Sequence, residues 1–294
     1  MGFDTDNIFS EKFAARFALP FSIVAVSFAA IFIRFSNANP ISIAFHRMFF
    51  STLIFLPLVY YYFEEFLMIS RRQWIILAGV GFLLGSHMAA WISSLEYTSV
   101  ASSVVLVTSH PLLVSWLSSR YLDEETTKKG YFGIIIALAG ITIMAFSDYR
   151  VSGWSLFGDF LAITGMVLVS GYIIKGRQMR KKLSVVPYVF IVYGFSSIFL
   201  AIFSIGVPQT FQIYPAREYI LFLALAIIPT MMGHTVYNWT LKFVKARIAS
   251  ISLLGEPIGS SILAFIILSE VPPRLTIIGA IVALFGIYLC QRYG

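Results

Sequence analysis

Arg47 and Glu256 are charged side chains in neighbourhoods unable to solvate them. Arg47 stands among Phe45, Met48, Phe49 and Phe50, and Glu256 lies within the run LLGEPIG. A charge set in hydrocarbon costs about 2.5–3.5 kcal/mol, so each should face a protein interior rather than lipid. An interior arginine could anchor an anionic group such as a carboxylate; it could equally make a structural ion pair or snorkel to an interface. An interior carboxylate could bind an amine, carry a coupling proton or pair with Arg47. It could also cap a hydrogen-bond ladder broken by Pro257, which should kink its helix. The four histidines, His46, His87, His110 and His234, all fall in apolar stretches. His87, Trp91 and Ser94 follow at i, i+4 and i+7, on one helical face. His234 and Asn238 repeat the i, i+4 spacing, with Tyr237 and Trp239 adjacent. Two such stripes would suit the walls of a chamber for an amphipathic solute, or two interhelical hydrogen-bond clusters. There is no HExxH motif and one cysteine, Cys290, so neither a metal centre nor a disulfide is expected. No nucleotide-binding P-loop is present and no cofactor is expected.

The elements that must hold these residues follow from composition. Hydrophobic residues make up 59% of the 294 and charged residues 12%, against roughly 25% charged in soluble domains. Mean hydropathy is +0.85. So much apolar surface needs a lipid bilayer as its partner. Ten apolar stretches are long enough to cross it: about 14–34, 41–63, 73–95, 99–119, 130–147, 154–175, 186–206, 217–241, 247–269 and 274–291. The fold class expected is all-α, a polytopic membrane protein with ten transmembrane helices. The first stretch is read as a helix rather than a signal peptide.

Charge tests this map. With both ends cytoplasmic, 16 of the 21 lysines and arginines fall in cytoplasmic segments, as the positive-inside rule requires. The net charge of +7 therefore needs no nucleic-acid partner. A seven-helix receptor conflicts with the alternation. The location expected is the plasma (cell inner) membrane, multi-pass.

The chain also repeats. At an offset of 146, Pro111 meets Pro257, Glu124 meets Glu270, Gly133 meets Gly279 and Gly140 meets Gly286. At 148, Gly85 meets Gly233 and Trp91 meets Trp239; Pro40 and Pro187 lie 147 apart. This divides the chain into five-helix repeats at 1–150 and 151–294. An odd number of spans per repeat inverts the second in the membrane, a plan common among secondary transporters. Gly133, Ala137, Gly140 and Gly279, Ala283, Gly286 are read as close-packing faces. Asp159 is read as a helix cap, and Glu124 and Glu270 as structural or gating residues.

The ordered set of these landmarks resembles the EamA-like, ten-helix branch of the drug/metabolite transporter superfamily. The resemblance is carried by Gly233 to Glu270 (GHTVYNWTLKFVKARIASISLLGEPIGSSILAFIILSE) and His87 to Leu117 (HMAAWISSLEYTSVASSVVLVTSHPLLVSWL). It implies export or exchange of small metabolites, often amino acids, through a central cavity. The half-sites differ: His110 precedes Pro111 where Glu256 precedes Pro257. Substrate-binding candidates are Arg47, His87, Trp91, Ser94, His234, Tyr237, Asn238, Trp239 and Glu256, with no catalytic role expected. The rival reading is an intramembrane enzyme acting on lipids, for which His87, His234 and Glu256 would have to converge.

Overall fold

The computed structural model describes residues 17–121, 127–207, 210–240, 243, 253 and 255–293. Every regular element among them is helical. Eight helices are long and apolar enough to cross a membrane: α1 (Phe17–Phe35), α2 (Pro40–Leu67), α3 (Arg71–Ser94), α4 (Val100–Leu117), α5 (Lys128–Ser147, continuing to Val151), α6 (Gly153–Arg180), α7 (Val185–Ser204) and α8 (Ala216–Thr240). Two shorter apolar helices complete the ten among the described residues, α9 (Gly255–Leu268) and α10 (Arg274–Cys290, continuing to Tyr293). The ninth expected span is thus described only from Gly255 onward.

Local chemistry starts the helices where the punctuation residues stand. Pro40 opens α2, its missing N–H costing nothing at the first position, and Asn39 accepts the Ile41 N–H at 2.9 Å. At α3, Ser70 Oγ accepts the Gln73 N–H while Gln73 Oε1 accepts the Ser70 N–H at 2.8 Å, a reciprocal capping box. Ser99 and Ser152 cap α4 and α6.

Packing carries the repeat. α2 packs on α7, α4 on α9 and α5 on α10, each a pair related by five helices. Three further contacts exchange in the same way: α3·α6 corresponds to α8·α1, α3·α7 to α8·α2, and α4·α6 to α9·α1. These pairings, in which each helix trades places with the fifth after it, accord with two five-helix units about a pseudo-twofold axis. Because successive spans alternate in direction, the units are inverted.

The α5–α10 seam depends on small residues. A Cβ on Gly279 would lie 2.8 Å from Gly140 O, and one on Gly286 would lie 2.7 Å from Gly133 O. At one end of the bundle α9 terminates through Ser269, whose φ of 55° lets the Glu270 N–H donate back to Ala264 O at 3.2 Å. Glu270 then accepts the Val100 N–H at the start of α4 at 2.7 Å and pairs with Arg34 at 3.6 Å. Asp159, expected to cap its own helix, instead accepts a hydrogen bond from Thr98 Oγ1 at 3.0 Å. Glu124 lies outside the described residues.

Candidate functional site

A chamber of about 580 Å³, counting its mouth, lies between the repeats. α1, α3 and α4 wall one side and their equivalents α6, α8 and α9 the other, with Leu253 between α8 and α9. Five of the nine residues singled out from sequence line it: His87, Trp91, His234, Tyr237 and Glu256. The remaining four surround it in different ways.

Arg47, on α2, stands behind the wall. It is wholly buried, and its guanidinium carbon lies 5.9 Å from the centre of the Trp91 ring. Nε donates to Thr230 Oγ1 at 2.8 Å, while Nη1 and Nη2 have no hydrogen-bond partner among the described residues. Arg47 therefore does not snorkel, and it forms no ion pair among the described residues. Its anchor exists because of a proline. Pro229 has no N–H to give Leu225 O, so Thr230 Oγ1 donates to that carbonyl at 2.8 Å and receives Arg47 Nε on its lone pair. Around it, Ala226–Thr235 of α8 runs as π-helix, and Thr235 Oγ1 repeats the five-residue reach by donating to Thr230 O at 3.2 Å. Such wide turns concentrate at functional sites. The π segment was not foreseen; Pro229–Thr230 inside an apolar span was its signal.

Asn238 is second to the wall: its Nδ2 donates to Tyr172 Oη at 2.7 Å and to His234 O at 2.8 Å, fixing two lining residues. Ser94 ties α3 to α4, donating to Trp91 O at 2.7 Å and sharing a 2.6 Å hydrogen bond with Ser103 Oγ. Trp239 packs on Phe243 at 5.1 Å and does not line the chamber.

Glu256 is the sole carboxylate among the described lining residues. It occupies the first turn of α9, with 8% of its surface exposed, where backbone N–H groups favour negative charge. Pro257 follows it in that first turn, where a proline breaks no helical hydrogen bond, so the described part of α9 has no proline kink. The equivalent Pro111 likewise sits in the first turn of His110–Tyr121, after α4 breaks at Thr108 and Ser109. Both half-sites are thus helix starts facing the void, one bearing Glu256 and the other His110.

His87 lies parallel to Trp91, with ring centres 6.2 Å apart and planes 5° apart. Its Nδ1 meets Gly165 O at 2.9 Å; a carbonyl only accepts, so Nδ1 carries the proton. His110 and Tyr172, neither among the nine candidates, also line the chamber. Tyr172 lies well inside α6, and a tyrosine so deep in an apolar span was the readable signal. His46 lies outside, stacked on Phe222 at 4.5 Å. Among the described residues no three His, Cys, Asp or Glu side chains are grouped to hold a metal ion. The arrangement offers a carboxylate, aromatic faces and a screened guanidinium, which is chemistry for holding an amphipathic solute.

The EamA-like transporter family model matches residues 16–146 and again 156–291. The chain belongs to the EamA-like transporter family. It is 24% identical over 284 residues to an "Uncharacterized transporter" of Archaeoglobus fulgidus, covering 92% of this chain and 94% of that one. It is 26% identical over 260 residues to a protein of Rickettsia bellii named S-adenosylmethionine uptake transporter, covering 86% of this chain and 85% or slightly less of such Rickettsia relatives, 84% for that of Rickettsia felis. A solved crystal structure matches with a TM-score of 0.66 at 16% identity, over 94% of this chain and 98% of that one, which supports the fold alone. This EamA-like protein is therefore a membrane transporter and not an enzyme, and the lipid-enzyme reading falls away.

Proposed function

We propose that this transporter exchanges or exports a small amphipathic metabolite bearing both a cationic centre and a carboxylate, by alternating access of the chamber between the two repeats. Arg47 carries the reading. Both its terminal nitrogens are buried without a partner among the described residues, a costly arrangement that a ligand carboxylate would relieve. Glu256 supplies the complementary negative charge, and Trp91, Tyr172 and Tyr237 supply faces for an apolar or cationic body. In this reading Trp91 shifts on binding to admit the carboxylate to Arg47, while Asn238 holds the opposite wall. The Rickettsia relatives are named for uptake of S-adenosylmethionine, a molecule with a sulfonium, an amine, a carboxylate and an aromatic base. Exchange accommodates both uptake and export, because direction then follows the gradients. The repeats span 1–150 and 151–294, and the lysine and arginine distribution favours a plasma-membrane protein with both ends cytoplasmic.

Counterflow in proteoliposomes tests this. S-adenosylmethionine or an aromatic amino acid should compete with the transported solute, whereas a neutral sugar should not. Glu256→Gln should reduce transport by about 10- to 100-fold, the size of a lost charge-assisted hydrogen bond. Equal competition by neutral sugars, or full activity of Glu256→Gln, would overturn the assignment.

A further inference from the structure

A second recess lies at the end of the bundle where α2 and α6 finish and α3 and α7 begin. Its walls include Glu65, Gln73, Arg180, Lys181, Lys182 and Ser184, around an empty volume of about 690 Å³ counting its mouth. Three cations face one carboxylate, and one oxygen of that carboxylate already accepts the Ser184 N–H at 2.5 Å. Arg180 builds the floor. It is 2% exposed, its Nε donates to Asn238 O at 3.2 Å, and a second nitrogen donates to Leu183 O. The recess floor is thus fixed by the Arg180 link from α6 to the α8 backbone rather than made of loose side chains. Lys181 and Lys182 stand exposed at its rim.

The recess continues into a groove lined by Tyr60, Tyr61, Phe63 and Glu64, the two sharing Glu65 and Met68. Tyr60, Tyr61 and Met68 are 84%, 79% and 76% exposed. A cationic hollow opening onto exposed aromatic and apolar side chains matches an amphipathic anion. Tyrosines favour the headgroup level of a bilayer, and basic pockets between membrane helices take anionic headgroups. We propose that this recess seats the headgroup of an anionic phospholipid against Arg180, Lys181 and Lys182, with its acyl chains lying along the Tyr60–Met68 groove. Glu64 and Glu65 sit on the groove side and disfavour an anion there, which places the phosphate at the lysine end. A soluble phosphate would use the cations but leave the groove unfilled.

Native mass spectrometry of the purified, delipidated protein can read the seat without any transport assay. Phosphatidylglycerol should bind in preference to phosphatidylcholine and phosphatidylethanolamine. Lys181→Gln/Lys182→Gln should weaken it on the order of ten-fold or more, at about five-fold per lysine. Lys128→Gln/Lys129→Gln, exposed cations at the same end of the bundle, should retain affinity within about two-fold. Equal binding of the three lipids, equal loss in the two double variants, or binding of glycerol phosphate as tight as that of phosphatidylglycerol would each overturn the proposal.

Discussion

α3 and α8 hold equivalent places in the two repeats, yet they meet the chamber differently. α3 is regular helix throughout Arg71–Ser94, and His87 and Trp91, one turn apart, both reach the void. α8 passes through the π turns of Ala226–Thr235, and its lining residues are His234 and Tyr237. Trp239, matched to Trp91 by sequence, packs elsewhere. Wide turns hold more residues than the usual 3.6, so the phase of everything beyond them changes. At the offset that pairs the tryptophans, Pro229 corresponds to Gly81. That glycine serves close packing: a Cβ there would lie 3.0 Å from Val192 O on α7. One helix uses the position for contact, the other to loosen its own ladder and anchor Arg47. Repeat symmetry thus governs where the helices go, while the π turns around Pro229 change which side chains of α8 reach the chamber.

The contrast can be broken most forcefully at Thr230. Thr230→Val should destabilise the protein by about 2–3 kcal/mol, because it leaves Arg47 without its hydrogen-bond partner among the described residues and removes the Oγ1 donor to Leu225 O. Thr230→Ser should restore most of the loss, as read by thermal unfolding in detergent; equal melting of all three would show that the relay carries nothing. The tryptophans give the next largest effect. Trp91→Ala should weaken solute affinity by roughly 10- to 100-fold through lost aromatic surface, with Trp239→Ala within about three-fold. Comparable losses at both positions would mean that α3 and α8 present the same face after all. Ser94→Ala should be the mildest, about five-fold or less in solute affinity, since the two neutral hydrogen bonds it removes lie outside the chamber. A loss matching that of Trp91→Ala would place Ser94 among the solute ligands.

Much of this was readable in the chain. Hydropathy located the helices within a few residues, the start of the ninth lying outside the described residues, and the Pro111/Pro257 and Gly140/Gly286 pairs exposed the repeat. The i, i+4 rule brought His87 and Trp91 to one face because α3 is regular. The same rule failed for Trp239, because periodicity assumes one helical phase along α8. Pro257 was expected to kink a long helix, but the described α9 begins just before it. Tyr172 was passed over because Asn238, which positions it, lies on another helix.

Composition and periodicity on their own determined that the chain needs lipid, that it folds as helices and that it is built twice over. These follow from local physics: an apolar stretch in a bilayer must satisfy its own hydrogen bonds, and a duplicated pattern packs in duplicate. Tertiary structure alone decided that Arg47 rests on Thr230 behind Trp91, that Glu256 meets the void at a helix start, and that Trp239 does not. Those outcomes depend on helix phase and on which faces of different helices meet, and neither is encoded at any single position along the chain.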